Sequence, residues 1–166
     1  PCAPYRDDHP TVVADVNGNC VVDLNFPVQP TDYPNAPVVS DSLQDPWNTD
    51  YCKDSWRHPT RAVACSEVFS LGFWAETTAS RQFSAERDAN AYRHCLWAAI
   101  LVWGIGEHGD NGARGFLNRH EGSQLVAVDG YLTDSGVDRQ NHEVGYSIGR
   151  TLSGWQWQAK DQCTAR

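Results

Sequence analysis

One predicted helix carries polar side chains on the face that should be buried. Residues 88–102 have the spacing of apolar and polar types that is typical of an amphipathic helix. The residues that fall on one face are Asn90, His94, Trp97 and Leu101. An unsatisfied polar group in a protein interior costs about 1–3 kcal/mol. The fold is therefore constrained to supply buried partners for the asparagine and the histidine.

A second predicted helix ends in a histidine followed by a glutamate. Ala113, Phe116 and His120 share one helix face, so the histidine is expected to point inward at the helix end. Glu121 follows it directly, and an imidazole beside a carboxylate suits acid–base chemistry. The alternative is a core histidine that only satisfies neighbouring polar groups.

A third predicted helix has a polar end and a track of small residues. Asp138 and Asn141 share a stripe with Gly145, and Gly149 lies one turn further along. The two glycines leave a flat track on which another helix can approach closely. The polar end is then expected to face that helix. Alternatively, Asp138 is an acidic first-turn residue stabilised by the helix dipole, and Asn141 is exposed.

The recurrence of inward polar residues on three helices predicts a single buried cluster. Such groups are expected to hydrogen-bond to one another or to hold a ligand, because burying them unpaired is costly. The alternative is a polar network that only fixes the register of the helices. The predicted members are Asn90, Arg93, His94, His120, Glu121, Asp138 and Asn141.

The sequence pattern predicts one mainly α domain, because 166 residues can bury a substantial core. Residues 1–65 are rich in Pro, Asp and Asn, with short β-like runs at residues 11–13 and 20–22. Helical patterning begins at about Ser66, and Gly104 is expected to end the central helix. We therefore expect a small helical domain cross-linked by disulfides, preceded by an irregular segment with minor β structure.

Six cysteines without a C-x-x-C pair favour disulfide bridges over a metal or redox site. Disulfides form in oxidising compartments, so a secreted protein is expected. Six cysteines allow 15 pairings. Proximity along the chain suggests Cys2–Cys20, Cys52–Cys65 and Cys95–Cys163.

Charge and hydropathy exclude several classes of partner. The formal net charge is −8, and no run of Lys or Arg offers a local basic site, so no nucleic-acid partner is expected. No stretch approaches the roughly 20 apolar residues of a transmembrane helix.

The start of the chain lacks the basic and apolar regions of a signal peptide, so a mature form or an excised domain is expected.

An N-terminal run matches part of a calcium loop. Oxygen-bearing side chains alternate at Asp15, Asn17, Asn19 and Asp23, as in the first nine positions of an EF-hand. Cys20 replaces the glycine of the sharp turn, and Phe26 replaces the bidentate acid. A polar turn between two short strands explains the same residues.

The ordered motifs resemble an uncharacterised bacterial domain family found in secreted proteins and at the C-terminal ends of toxin-like polypeptides. They read N-A-Y-R-H-x-x-W at residues 90–97, H-E at residues 120–121, and D-x-x-N-H-x-V-G at residues 138–145. The resemblance covers about residues 88–152. Family members tend to have Asn-Asn where this chain has Asn141-His142, so His142 either adds a ligand or points outward.

Together these features predict a secreted, toxin-like hydrolase with antibacterial action on a cell-envelope component. His94 or His120 is expected to act as general base on water, with Glu121 or Asp138 orienting it. Arg93 is expected to hold an anionic group, which favours phosphoester- or lipid-linked substrates. The expected partners are this substrate and an immunity or carrier protein. The residues expected to bind substrate are Asn90, Arg93, Trp97 and Asn141.

Three alternatives stay open. In one, His94, His120 and a carboxylate bind Zn²⁺ with an open position, although the chemistry above requires no cofactor. In another, Glu121 and Asp138 are glycosidase carboxylates, with tryptophans along a sugar groove. In the third, the chain is a non-enzymatic binding or toxin-recognition module with a structural cluster. A pocket that reaches the histidines favours an enzyme, whereas a sealed cluster and exposed aromatic side chains favour the module.

Overall fold

The protein is mainly helical, which confirms the predicted fold class. A computed structural model describes residues 12–14, 20–22, 46–121, 127–128, 131–132, 134–154 and 157–164. The helices are α1 (Pro46–Cys52), α2 (Pro59–Gln82), α3 (Glu86–Ile105), α4 (Ala113–Glu121), α5 (Asp134–Gly149) and α6 (Trp157–Thr164). Two short antiparallel pairs join β1 (Val12–Ala14) to β2 (Cys20–Val22) and β3 (Ala127–Val128) to β4 (Tyr131–Leu132). Among the described helices, none combines the length and apolar character that a bilayer crossing requires.

Helical structure begins earlier than the composition predicted. The expected boundary was Ser66, but α1 begins at Pro46 and α2 at Pro59. Proline is well tolerated at the first position of a helix, because the N–H it lacks would have no partner there. A proline-rich segment was therefore wrongly expected to be extended throughout.

Helix α3 is the centre of the core. It packs most extensively against α5, next against α2, and also against α4 and α6. The helix ends at Ile105, and Gly106 follows with φ +79°, a conformation that favours glycine. Gly104 does not end the helix, contrary to expectation. A Cβ at this position would lie 3.4 Å from Cδ1 of Leu71, so the residue lies where α2 passes beside α3.

The predicted glycine track on α5 is where α3 and α5 approach closely. A Cβ at Gly145 would lie 2.3 Å from the carbonyl oxygen of Cys95 and 2.6 Å from Cβ of Ala98. A Cβ at Gly149 would lie 2.6 Å from Cβ of Val102. No side chain fits in these gaps, so the two backbones pack directly against each other.

Two of the predicted disulfides are present. Cys52–Cys65 links α1 to α2, and Cys95–Cys163 ties α6 to α3. The predicted Cys2–Cys20 bridge lies outside the described residues. The β-like runs form β1 and β2, with Val13 opposite Val21. The side chains predicted to bind calcium also lie outside the described residues; they are Asp15, Asn17, Asn19 and Asp23.

An ion-pair network holds the α3–α4 connection against α5. Glu107 accepts hydrogen bonds from Arg150 at 2.6 and 2.9 Å and from Arg114 at 2.8 Å. Arg114 also forms a two-pronged pair with Glu143 of α5, and its guanidinium lies 4.2 Å from the ring centroid of Tyr146. The hydrogen bonds from Arg150 lower the pKa of Glu107 to about 2; those from Arg114 reinforce this effect, and burial opposes it.

We expect Gly145→Ala to lower the free energy of unfolding by about 1–3 kcal/mol, because the added methyl group forces α3 and α5 apart. The matched control is Gly104→Ala, whose methyl group meets only an ordinary contact with Leu71. This control should stabilise the protein by up to about 1 kcal/mol, since alanine is the better helix former. Urea unfolding followed by circular dichroism measures both changes. Equal stability of the two variants would contradict the close packing.

Acid should unfold the protein partly through Glu107. Because its pKa is lower in the folded state, its contribution is complete above about pH 5 and is lost as the pH falls towards 2. We expect Glu107→Gln to cost about 2 kcal/mol at pH 7 and to flatten the pH dependence of the unfolding free energy in this window. Glu67→Gln, on α2 and outside the network, is the matched control. An unchanged pH dependence in Glu107→Gln would refute the prediction.

Candidate functional site

Three helices bring three predicted site residues and His142 together in the interior. His94 comes from α3, Glu121 from the end of α4, and Asp138 and His142 from α5. His94 has no exposed surface, and the other three side chains are also buried. The inward polar residues of separate helices thus form one cluster, as their helical spacing indicated.

The centre of this cluster is a triangle of ligand-type atoms. Nδ1 of His94 lies 2.8 Å from Nε2 of His142. Oε1 of Glu121 lies 3.9 Å from the first nitrogen and 3.8 Å from the second. Among the described residues, these three form the group of possible metal ligands. Each offers one ligand atom, and the three atoms all lie within 4.8 Å of one another. Imidazole and carboxylate together form a donor set for transition metals.

Asp138 supports the opposite edge of the His94 ring. Its Oδ1 lies 3.5 Å from Nε2 of His94 and accepts a hydrogen bond of 3.1 Å from the Asn90 amide. A carboxylate behind a histidine ring can orient the ring. Asn90 and Asp138 therefore lie beside the triangle, on the Nε2 side of His94.

The arginine predicted to hold an anion is engaged by protein groups. Nη1 of Arg93 donates to Glu76 of α2 at 2.7 Å, and Nη2 donates to Asn90. The same Nη2 lies 3.1 Å from Nε2 of His94. No signal in the sequence pointed to Glu76, because a carboxylate on another helix has no spacing relation to residues 90–97. Arg93 therefore contributes to the support of His94 in this arrangement.

His120 and Trp97 lie together beside the cluster. Their rings meet edge to face with centroids 5.0 Å apart, and the centroid of His120 is 5.9 Å from that of His94. Trp97 is buried, and its indole N–H donates to the carbonyl oxygen of Val68 at 3.2 Å. Trp97 thus packs in the core against His120. The hypothesis of a metal held by His94, His120 and a carboxylate differs from the observed triangle, in which His142 takes the place of His120.

Two neighbouring residues of α5, Asn141 and His142, have different environments. His142 is buried, whereas Asn141 is half-buried and its Nδ2 has no hydrogen-bond partner among the described residues. The sequence did not decide whether His142 adds a ligand or points outward. Its spacing of four from Asp138 was the available signal, because such residues lie one above the other on a helix.

The chain matches no protein-family model, no curated protein and no solved structure. Its motif resemblance to a toxin-associated bacterial family stays a prediction.

Proposed function

We propose that the protein is a secreted hydrolase whose reaction takes place at the buried His–carboxylate cluster. The observation that carries the proposal is the convergence of His94, Glu121, Asp138 and His142 from three helices. Hydrolases use such groups to position water and to move protons. The disulfides between Cys52 and Cys65 and between Cys95 and Cys163 support an extracellular location.

In this proposal the cluster divides into two parts with different roles. His94 and His142 already face each other, so they hold the attacking water together with Glu121. His120 lies at the edge of the cluster and transfers the proton from that water to the leaving group. Asp138 positions His94 and does not contact the substrate. The water oxygen ends on the acyl or phosphoryl centre, and the leaving alcohol takes the proton.

The proposed substrates are phosphoester- or lipid-linked components of another cell's envelope. The motif resemblance to toxin-associated domains supports this choice of target. The arginine predicted to hold an anion is paired with Glu76, so binding a phosphate would require Arg93 to exchange that partner. An immunity or carrier protein that covers the site is the partner such a toxin requires.

A specific observation favours a second candidate function, a non-enzymatic binding module. His94 is fully buried and His120 is only 7% exposed. By contrast, the aromatic side chains of Trp56, Phe73 and Trp157 are 71%, 68% and 63% exposed. Exposed aromatic rings are typical of contact surfaces. In this function the rings contact a partner and the cluster is structural.

The experiment that tests the proposal compares His120→Gln with wild type after export to the periplasm of a test bacterium. We expect the wild type to arrest growth and the variant to lose this effect. Removing a proton-transfer group slows catalysis by about 10²–10⁴-fold. Purified proteins are then incubated with envelope extract, and mass spectrometry identifies the released fragment. His58→Gln is the matched control, because His58 is exposed and its side chain caps no helix.

Circular dichroism must show that all three proteins are folded. Growth arrest by folded His120→Gln at the wild-type level would remove the catalytic role of this residue. If Trp56→Ser and Phe73→Ser instead abolish growth arrest, the binding module replaces the hydrolase.

A further inference from the structure

We infer that His94, His142 and Glu121 form a binding site for a divalent transition-metal ion, and we assign it to Zn²⁺. Metal binding at this site does not depend on whether the protein is a hydrolase. The three ligand atoms form a triangle between α3, α4 and α5, and other polar side chains surround it.

The size of the triangle fits a metal ion. Its sides are 2.8, 3.8 and 3.9 Å, measured between Nδ1 of His94, Nε2 of His142 and Oε1 of Glu121. A point equidistant from three atoms with these separations lies about 2.1 Å from each, which is the usual length of Zn–N and Zn–O bonds. A Zn²⁺ ion at or slightly above the plane of the triangle therefore reaches all three atoms without moving the helices.

Direct hydrogen bonds explain only one side of the triangle. The two ring nitrogens at 2.8 Å can share a proton. The glutamate oxygen is 3.8–3.9 Å from both nitrogens, which is too far for a direct hydrogen bond to either. An ion in the middle of the triangle would be within reach of all three atoms, including the glutamate oxygen.

The groups behind His94 suit a metal ligand. Binding through Nδ1 requires the proton on Nε2, which is the nitrogen that faces Oδ1 of Asp138 at 3.5 Å. Metal-bound histidines commonly donate this second N–H to a carboxylate, which orients the ring and makes it a better ligand. Asn90 holds the same aspartate oxygen at 3.1 Å. Nη2 of Arg93 also lies 3.1 Å from this Nε2, so the arginine must turn away from the ring for Nε2 to carry the proton.

The charges around the triangle also match a divalent ion. Glu121 and Asp138 are both buried and both lie within 4 Å of His94, while Arg93 is paired with Glu76. Buried charges are costly unless they are compensated. A bound Zn²⁺ adds two positive charges close to both carboxylates, and this attraction favours its binding.

The donor set and the compartment favour zinc over other ions. Two imidazoles disfavour Ca²⁺ and Mg²⁺, which take oxygen ligands. Two histidines and a carboxylate also bind iron(II). The disulfides Cys52–Cys65 and Cys95–Cys163 indicate an oxidising compartment, where Zn²⁺ has the advantage of having no redox chemistry.

Three protein ligands leave a fourth position on a tetrahedral ion. In catalytic zinc sites the ion binds a water molecule at this position and lowers the pKa of that water to about 7. This extension rests on the proposed function, since it would give the hydrolase its attacking hydroxide and leave proton transfer to the leaving group to His120.

The test measures Zn²⁺ binding to the purified 166-residue protein. Bound metal is removed with a chelator, and the protein is titrated with Zn²⁺ in a calorimeter at pH 7.5. We expect one site per chain in the wild type and in the control His58→Gln. Affinity should fall by more than about 100-fold in Glu121→Gln and His142→Gln. Loss of a carboxylate that lies behind a metal ligand lowers metal affinity by about 10–100-fold, and we expect a loss of this size for Asp138→Asn.

Thermal unfolding supplies a second readout, because an ion that binds only the folded state raises the unfolding temperature. Zn²⁺ should raise it for wild type and His58→Gln, and should not raise it for a Glu121→Gln protein that is folded by circular dichroism. Equal binding by all variants, or none by the wild type, overturns the site. Elemental analysis that finds iron in place of zinc overturns the assignment to Zn²⁺. Zinc binding without hydrolysis would remove only the proposed function.

Discussion

The close approach of α3 and α5 is the constraint on which the rest of the structure depends. Gly145 lies against the carbonyl oxygen of Cys95, so a backbone of one helix touches a backbone of the other. His94 is the residue before Cys95, and His142 lies one turn before Gly145. The contact that excludes a Cβ therefore also brings the two imidazoles to 2.8 Å. The same residues that pack the core set the geometry of the cluster.

The third corner of the triangle needs separate support, because Glu121 is the last residue of a helix of only nine residues. Short helices depend on tertiary contacts for their stability. Arg114, in the first turn of α4, is held by Glu107 and Glu143. On the other side of α4, the Asn48 amide of α1 donates to the carbonyl oxygen of Phe116 at 3.1 Å. Contacts on both sides of α4 thus fix the position of its carboxyl end.

Local spacing predicted the parts of this arrangement that lie within one helix. The inward faces of α3 and α4 and the glycine track of α5 follow from helical periodicity. The partner of Arg93, Glu76, comes from a different helix, and no periodicity relates the two residues. His142 was left open because two neighbouring residues compete for one face, and only the crossing of α3 and α5 decides between them. Helix α1 was missed because a proline at its first position resembles a loop signal.

The cost of the cluster argues against a purely structural role. Burying histidines and carboxylates is expensive unless every charge is compensated, and well-packed apolar residues often serve stability as well or better. Register between α3 and α5 is already fixed by the contacts at Gly145 and Gly149. The bridge Cys95–Cys163 anchors α3 to α6, and the arginine network anchors α4 to α5. These contacts hold the helices together without His94, His142 or Glu121, and this supports the proposal that the cluster binds a ligand.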